Sequence, residues 1–355
     1  MAMSLAAPTP PSTPARTPTH PASRWARGLS VWVWLYGLAV AGVALLIHLL
    51  SDLWWPATLV LFAPRWIWAL PLLVLVPAAL RWRRRLLWVL APTALLLLIP
   101  VLGFVPPPLS TLAARTAPPD LRVLTYNIGG GRLDPGEIAP WLDDVAPDMA
   151  VFQECAAAIE PARASLLQRG WQVEIQQGSC MVSRHPIRKV EVRDPMAIWK
   201  MGGSGIVVRY EVAAPGRVIN VVNVHLETVR EGLTAVLRRG WGGVSELELN
   251  IEQRDIESTL ARAFAVQAAG PLVVAGDFNM PMESAIYRRY WSDFTNAFSS
   301  AGQGWGATKA TRWHGIRIDH VLLGPGWSCT RAWVGPHLGM DHRPMIAEIA
   351  WRGAP

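Results

Sequence analysis

The stretch that decides the fold is Leu272-Val273-Val274-Ala275-Gly276-Asp277-Phe278-Asn279, in which an apolar run ends at polar side chains. The four apolar residues predict a buried strand, and Gly276 marks its end. Asp277 and Asn279 then lie at the end of a strand, where a rigid sheet can hold chemical groups in place. The alternative is a plain turn, since Asp and Asn are common turn residues.

Polar side chains follow five other apolar strands in the last two thirds of the chain. Each one alone is more often a turn former or a solvated residue than a functional group. Six such strand ends in one domain nevertheless indicate where a sheet could hold a site. The residues concerned, besides Asp277 and Asn279, are Asn127, Glu154, His225, Asp319 with His320, and Asp341 with His342.

The residues around these motifs alternate between short strands and a few helices. Many antiparallel-looking strands with few helices favour two sheets packed face to face, with helices on the outer faces. β-branched and apolar runs predict the strands, and amphipathic runs predict the helices. The predicted strands are 121–126, 149–153, 171–175, 180–183, 206–212, 218–224, 272–275, 318–323 and 345–350, and the helices are 137–145 and 247–268.

Hydrophobic stretches fill the first third of the chain. Residues 31–50 are an uncharged apolar run of 20 residues, long enough to cross a hydrocarbon core of about 30 Å as a helix. Residues 57–80, interrupted by Pro64-Arg65, and residues 86–105 are two more. We predict about three transmembrane helices within 31–105, a disordered cytoplasmic tail at 1–30, and a Pro-rich linker at 106–119. The soluble domain then covers residues 120–352.

The distribution of charge predicts which way the chain crosses the membrane. Residues 1–119 contain nine arginines and one acidic residue, a net charge of +8, whereas the remainder has 24 basic and 25 acidic residues, a net charge of −1. The arginines cluster before the first stretch and between the second and third, and cytoplasmic loops collect such residues. Three crossings place the soluble domain on the extracytoplasmic side of the cell membrane. If the second stretch does not cross, the side is reversed.

The three cysteines are too few for a disulfide framework. An extracytoplasmic location would permit one disulfide, and Cys155 with Cys180 is the pair to test. An odd count and two strand positions make free, packed thiols an equally good interpretation. Cysteine therefore leaves the compartment open.

Six segments of the soluble part carry a resemblance to a known family: Leu121–Asn127, Gln153-Glu154, Asn223–Leu226, Gly276–Asn279, Arg317–His320 and Asp341–Pro344. In their order and flanking residues they resemble the endonuclease/exonuclease/phosphatase superfamily. That group contains pancreatic-type deoxyribonucleases, abasic-site endonucleases, neutral sphingomyelinases and inositol-polyphosphate phosphatases. The resemblance covers residues 121–350 and implies a four-layered α/β/β/α sandwich, within the α+β class, with its site at one edge.

The acidic residues suit the hydrolysis of phosphate esters. A hard cation such as Mg²⁺ prefers oxygen ligands, and Glu154 is the best candidate to hold it, with Mn²⁺ or Ca²⁺ as alternatives. The resemblance assigns Asp341 to the same metal or a second one. It also assigns Asp277 to orient or deprotonate the attacking water, and Asn279 to hold the phosphate or the water.

The histidines suit the charge that builds on phosphoryl oxygens, since an imidazolium supplies both a charge and a proton. His342, with His225 opposite, would meet that charge. The resemblance gives Asp319 the task of fixing the tautomer of His342 and keeping it protonated. Asn127 would complete the group. A histidine at a strand end that pairs only with water is the alternative interpretation for His225.

Two features depart from the family pattern. Met340 stands before Asp341, where the family commonly has Ser, so a hydroxyl that could orient the last Asp-His pair is missing. The second acidic residue and the Tyr or Arg that many nucleases of the group add have no clear counterpart; Glu174, Arg184 and Arg209 are candidates. We expect His320 to pack behind the site.

The substrate is less well defined than the reaction. A predicted loop, residues 228–243, contains Arg230, Arg238, Arg239 and Trp241. It could grip a nucleic-acid backbone and stack a base, face anionic lipid head groups, or be an ordinary solvated loop. The near-neutral domain weakens the nucleic-acid interpretation.

The sequence thus predicts a membrane-anchored, divalent-metal-dependent phosphoesterase that hydrolyses phosphodiester or phosphomonoester bonds outside the cytoplasm. Its expected partners are a nucleic acid, a phospholipid or a small phosphodiester as substrate, and the lipid bilayer through its N-terminal helices. We predict no protein partner. The alternative is a non-catalytic, membrane-bound recognition module that keeps the fold.

Overall fold

The structure is a computed structural model that describes residues 21–107, 119–129 and 133–353. The first helix begins at Pro21, so the predicted disordered tail at residues 1–30 is wrong for its last ten residues. Residues 1–20 of that tail and residues 108–118 of the predicted linker lie outside the described residues.

The described helices divide into an apolar N-terminal group and a group that belongs to the folded domain. The N-terminal helices are α1 (Pro21–Leu45), α2 (Trp55–Phe62), α3 (Leu72–Trp82) and α4 (Leu87–Leu96). The domain helices are α5 (Pro135–Val145), α6 (Ala156–Gln168), α7 (Met196–Trp199), α8 (Arg230–Arg239), α9 (Val244–Ala265), α10 (Ala285–Trp291) and α11 (Ala297–Ala301).

Three helical segments in the N-terminal group are long and apolar enough to cross a membrane: Arg27–Leu50, Arg65–Trp82 and Arg84–Val101. Each is extended beyond its α-helix by a turn of tighter or wider helix. The predicted single stretch 57–80 is not one helix. It breaks between Phe62 and Arg65, where Pro64 cannot donate a main-chain hydrogen bond.

The strands among the described residues of the domain form two six-stranded sheets and a small hairpin. The strands are β1 (Leu121–Asn127), β2 (Met149–Gln153), β3 (Gln172–Gln176), β4 (Ser179–Ser183), β5 (Ile187–Val192), β6 (Ile206–Ala214), β7 (Arg217–His225), β8 (Leu272–Asp277), β9 (Thr295–Asn296), β10 (Lys309–Ala310), β11 (Gly315–Ile316), β12 (Asp319–Leu323), β13 (Trp327–Val334) and β14 (Met345–Trp351).

The two sheets pack face to face, as the strand pattern predicts. The first has the order β13-β14-β1-β2-β4-β3 and the second β5-β6-β7-β8-β12-β9. Val123 and Val151 of the first sheet share one buried cluster with Val221 and Val273 of the second, and this cluster is the core between the sheets. Burial of alternate β-branched side chains on two facing sheets stabilises such a sandwich.

Helices cover the outer face of each sheet. Ile138 of α5 and Ile159 of α6 share a buried cluster with the first sheet, and Ala261 of α9 and Tyr287 of α10 share one with the second. The order of layers is therefore helix, sheet, sheet, helix. Helix α6 and strands β5 and β13 lie in segments where the sequence predicted no element. The predicted loop at 228–243 is wrong, because residues 230–239 form α8.

The N-terminal group packs directly against the sandwich. Val105, just after the last apolar helix, pairs through its main chain with Gly304. Arg65 forms an ion pair with Glu283 at 3.1 Å, and Trp66 donates to the main-chain oxygen of Trp313 at 3.0 Å. The N-terminal group therefore contacts the domain both at the start of its second apolar segment and just after its third.

Candidate active site

Three of the predicted site residues lie side by side in the second sheet. β7 and β8 are parallel, with His225 opposite Asp277, and β12 runs antiparallel to β8, with Asp319 opposite Asp277. The strand pairing thus sets an imidazole and two carboxylates in one row at the sheet edge. Their spacing follows from the register of the strands and not from flexible loops.

Gly276 allows β7 and β8 to come this close. Its φ is +154°, and a Cβ atom there would lie 1.9 Å from the main-chain oxygen of Val224. A side chain at this position would push the two strands apart. The glycine therefore serves the register that places Asp277 beside His225.

Asn127 joins the two sheets at the site. It ends β1, parallel to the end of β2, and its Nδ2 donates to Glu154 Oε1 at 3.0 Å and to Asp277 Oδ2 at 3.1 Å. Its Oδ1 accepts from the main-chain N–H of Gly129 at 3.0 Å, which fixes the orientation of the amide. The amide nitrogen of Asn127 thereby holds the carboxylates of Glu154 and Asp277 close to each other.

Glu154 is held in an unusual backbone conformation from both sides. Its φ is +52°, a left-handed value that is costly for a residue other than glycine. On one side, Gln153 donates to Thr125 at 3.1 Å and to Asn223 of the opposite sheet at 2.7 Å. On the other side, Cys155 forms a disulfide bond with Cys180 of β4. The structure thus contains the disulfide bond between Cys155 and Cys180, and not two free thiols.

His342 and Asp319 form a buried pair behind the reacting face. His342 Nδ1 lies 2.9 Å from Asp319 Oδ2, and His342 Nε2 lies 3.6 Å from Asp277 Oδ2. Burial alone would lower the pKa of His342, but the carboxylates of Asp319 and Asp277 outweigh it and raise that pKa to about 9. With this pKa the imidazole is mostly protonated at neutral pH.

Asp277 is almost completely buried, with 1% of its surface exposed. Burial and the neighbouring carboxylate of Asp319 raise its pKa, while His342 and His225 act in the opposite direction. A carboxylate with a raised pKa is a better proton acceptor than an ordinary one. Asp277 is therefore the group in this site best suited to take a proton from water.

Asn279 lies beside Asp277 and is fixed through three contacts. Its main-chain N–H donates to Asp277 Oδ1 at 2.9 Å, and its side-chain Nδ2 donates to the main-chain oxygen of Leu226 at 2.8 Å. Its own main-chain oxygen accepts from Arg254. Like Glu154, it has a left-handed backbone, with φ of +51°.

Asp341 lies at the exposed rim of the site with a partner that the sequence analysis missed. Lys309 Nζ lies 2.5 Å from Asp341 Oδ2. Burial would raise the pKa of Asp341, but the hydrogen bond and charge of Lys309 lower it. Lys309 is one of three lysines in a chain with 33 basic residues. That rarity was the available signal in the sequence that this residue could belong to the site. Met340, in the position of the missing Ser, is buried.

The remaining candidates do not reach the site. Arg184 pairs with Asp143 at 2.6 Å, and Arg209 pairs with Glu191. Glu174 lies on β3, an edge strand of the first sheet, and among the described residues none of the three has a hydrogen bond or ion pair with a site residue. His320 packs behind the site as expected, with its Nε2 3.0 Å from the main-chain oxygen of Met280.

The oxygen ligands at the rim fit a hard cation. Glu154 and Asp341 expose 44% and 48% of their side chains, whereas Asp277 and Asp319 are buried. Ligand atoms of Asp277, Asp319 and His342 also lie within 4.8 Å of one another, but their closeness is explained by the contacts between His342 and the two carboxylates. Glu154 is the residue whose carboxylate and exposure best suit Mg²⁺.

The sandwich and its row of strand-end residues define a class of protein, the metal-dependent phosphoesterases. A model of the Endonuclease/Exonuclease/phosphatase family matches residues 124–342. The chain belongs to that family, and it is a metal-dependent hydrolase that acts on phosphate ester bonds. A search of curated protein sequences gave no match.

Solved structures share the fold at low sequence identity. A humanized TDP2 from D. rerio with 14 mutations is 14% identical, with a TM-score of 0.50 over 65% of this chain and 98% of that chain. An endonuclease/exonuclease/phosphatase from Bacteroides vulgatus is 18% identical, with a TM-score of 0.50 over the same shares. The 3' phosphatase NExo from Neisseria, bound to product DNA hairpin, is 19% identical, with a TM-score of 0.49 over 65% and 100%. The first two likenesses show the fold and not the substrate.

Proposed function

We propose that this protein is a membrane-anchored phosphodiesterase that acts outside the cytoplasm on the head groups of phospholipids. The observation that carries the phosphodiesterase part is the contact chain Glu154, Asn127, Asp277, His342 and Asp319, in which each neighbouring pair lies within 3.6 Å. It sets an exposed carboxylate for a metal, a buried proton acceptor and a protonated imidazole on one edge.

Each side chain has a distinct task in this proposal. Asp277 Oδ2 accepts the proton of the attacking water, because its pKa is raised. His342, kept protonated by Asp319, donates from Nε2 to the phosphoryl group and stabilises its charge. Asn127 orients the carboxylates of Glu154 and Asp277.

Glu154 would hold the divalent cation, with Asp341 as a second ligand. The cation would polarise the phosphoryl oxygens and neutralise the charge that develops on them. Lys309 already balances the charge of Asp341, so Glu154 is the ligand on which we expect metal binding to depend most. Mg²⁺ is the proposed ion.

The contacts of the N-terminal group support three membrane crossings. Asp52, between the first and second apolar segments, forms a buried ion pair with Arg254 of the domain. The start of the first segment and the turn after the second also lie together, since Arg83 donates to Ser30. In a membrane, Asp52 would then share a side with the domain, and residue 30 would share a side with residue 83. Three crossings satisfy this, whereas a second segment that does not cross would separate Asp52 from the domain.

Two further features support the extracytoplasmic side. Arg81, Arg83, Arg84 and Arg85 lie where the second apolar segment ends and the third begins, as expected for a cytoplasmic turn. The disulfide bond between Cys155 and Cys180 is of a kind that persists in oxidising compartments and is rare in the cytosol.

Helix α8 favours a lipid substrate over nucleic acid. Its Leu237 and the following Trp241 expose 83% and 82% of their surfaces. Trp241 contacts Trp55, at the start of α2, with ring centroids 5.1 Å apart. An exposed apolar side chain and a tryptophan beside arginines, next to the end of a membrane helix, are typical of a surface that meets lipid head groups. Arg230, at the other end of α8, is close enough to Asp341 to lower its pKa.

The proposal is tested with the full chain in lipid nanodiscs. Release of head groups from phospholipids, release of acid-soluble nucleotide from plasmid DNA and hydrolysis of bis-p-nitrophenyl phosphate are measured with Mg²⁺ or EDTA. We expect metal-dependent release of head groups, reduced about 10³-fold in Asp277→Asn, because a positioned general base contributes about 10²–10⁴-fold. Asp293→Asn, at an exposed ion pair with Arg262, is the control. Cleavage of DNA alone would assign the substrate to nucleic acid, and no turnover on any substrate would favour the recognition module.

A further inference from the structure

A fully buried ion pair joins the N-terminal group to the longest helix of the domain. Arg254, in the middle of α9, lies with its Nη1 3.1 Å from Asp52 Oδ1, and neither side chain exposes any surface to solvent. Nothing in the endonuclease/exonuclease/phosphatase motifs of the sequence pointed to either residue. A charge pair removed from water in this way is costly to leave incomplete.

Asp52 is held in place by its own surroundings. It has a left-handed backbone with φ of +58°, and its main-chain N–H donates to Thr58 Oγ1 at 3.0 Å. Its second carboxylate oxygen accepts a hydrogen bond from Ser284, which lies in the segment that follows Asn279. The carboxylate therefore contacts two parts of the domain, α9 and the segment after β8.

Arg254 links Asp52 to the active site. Its Nη2 donates to the main-chain oxygen of Asn279 at 3.3 Å. Asn279 has the left-handed backbone described above, and its N–H holds Asp277 Oδ1. The guanidinium thus stabilises a strained residue directly beside the proposed proton acceptor.

We propose that Asp52 is a positioning residue of the active site. It neutralises Arg254 and aims its guanidinium at the main-chain oxygen of Asn279, which in turn fixes Asp277. Asp52 then acts on the active site through Arg254, and the turn that carries it, between α1 and α2, is not only a tether. This inference rests on the proposed roles of Asp277 and Asn279, although the contacts themselves do not.

A purely structural role of the pair of Asp52 with Arg254 predicts a different result from a positioning role in one experiment. If the pair only held the two regions together, replacing both charges by neutral side chains of similar size would restore activity, because buried ion pairs are often replaceable by apolar groups. A positioning role predicts that activity stays low, since the donor to Asn279 is lost. The double variant Asp52→Asn with Arg254→Met separates the two.

The test uses the full chain in nanodiscs and two readouts. In Asp52→Asn we expect kcat on bis-p-nitrophenyl phosphate to fall at least tenfold with KM changed less than twofold, and Asp52→Glu to recover part of the loss. We expect the double variant to keep the low kcat. Trp66→Phe, which removes another contact between the two regions, is the control, with kcat within twofold of the parent.

Hydrogen exchange gives a readout that needs no turnover. We expect the main-chain amide of Asn279 to exchange at least tenfold faster in Asp52→Asn and in the double variant than in Trp66→Phe, with β1 and β2 unchanged. Unchanged exchange at Asn279, or full recovery of kcat in the double variant, would overturn the inference. Absence of turnover in the parent chain would count against the proposed function, and the exchange result would still decide the role of Asp52.

Discussion

At the scale of single residues, the site depends on side chains whose charge is set by burial and neighbours. Asp277 and His342 are each at most 2% exposed, so the charges of their neighbours strongly affect their pKa values. Such a group can keep an imidazolium beside a carboxylate that is ready to accept a proton. Asn127, which contacts both Asp277 and Glu154, sets where that carboxylate points.

The pKa of His342 predicts how stability depends on pH. Its folded pKa is about 9, against an ordinary value of 6.5, so its contribution is fully present below pH 6.5 and is lost as the pH rises through 9. We expect the metal-free protein in EDTA to lose stability across that window, by at most about 3 kcal/mol. Thermal unfolding at pH 6, 7.5 and 9.5 measures this. In His342→Asn the loss should shrink, and an equally steep loss in that variant would contradict the assignment.

At the scale of elements, strand ends and the bonds between strands position the ligands. Glu154 follows β2 in a left-handed conformation, between Gln153, which bonds to the opposite sheet, and Cys155, which is bonded to β4. Neither neighbour belongs to the reaction. Both restrict the main chain at Glu154, the residue that we propose as the metal ligand.

Removal of the disulfide bond is therefore expected to reduce activity as well as stability. Cys155→Ser with Cys180→Ser should lower the free energy of unfolding by about 3 kcal/mol, as for loops of this length. It should also raise the Mg²⁺ concentration needed for half-maximal activity, because Glu154 is no longer held from one side. Metal titrations of hydrolysis measure this. Cys329→Ser, at the free cysteine, is the control, and an unchanged metal requirement in the double variant would show that the bridge does not act on Glu154.

Helix α8 predicts a difference between lipid and soluble substrates. Leu237→Ser with Trp241→Ala removes two exposed apolar side chains, each able to contribute about 1.5–3 kcal/mol when buried. We expect kcat/KM to fall at least tenfold for phospholipid in nanodiscs and to stay within twofold for bis-p-nitrophenyl phosphate. Leu167→Ser, at an exposed leucine of α6, is the matched control. An equal loss on both substrates would mean that α8 supports the fold and does not contact lipid.

At the scale of the whole molecule, the apolar helices and the sandwich form a continuous structure. Ser51 and Arg65 both contact Glu283, and Val105 pairs with Gly304. A chain that begins at residue 115 lacks Asp52 and leaves Arg254 without its carboxylate partner. Assays of the isolated domain are therefore expected to understate the activity of the full chain.

Membrane topology is the prediction that belongs to this scale. An exported alkaline phosphatase reporter fused after residue 106 should be active, and one fused after Arg83 should be inactive, because three crossings place these points on opposite sides. A fusion after residue 53 should also be active. Activity at Arg83 together with inactivity after residue 106 would contradict both the three crossings and the extracytoplasmic domain.

The sequence was sufficient for the elements whose pattern is local. β2 is predicted at Met149–Gln153 and found there, and β8 begins at the predicted Leu272. Apolar runs bounded by turn residues specify such strands whatever surrounds them. α8 was missed because its charged residues and its one glycine, Gly232, give little apolar signal. Contacts of Val229 and Val236 with Leu247 stabilise it.

The sequence alone determined the family, the edge at which the site lies and the residues placed there, because these follow from motifs a few residues long. Only the tertiary structure decided how those residues are joined. The bridge by Asn127 spans 150 positions to Asp277, and the pair of Asp52 with Arg254 spans 202. Lys309 beside Asp341 and the disulfide of Cys155 depend in the same way on which strands become neighbours. Such contacts form between segments distant in the chain, so no local pattern records them, and packing of the sheets and helices selects them.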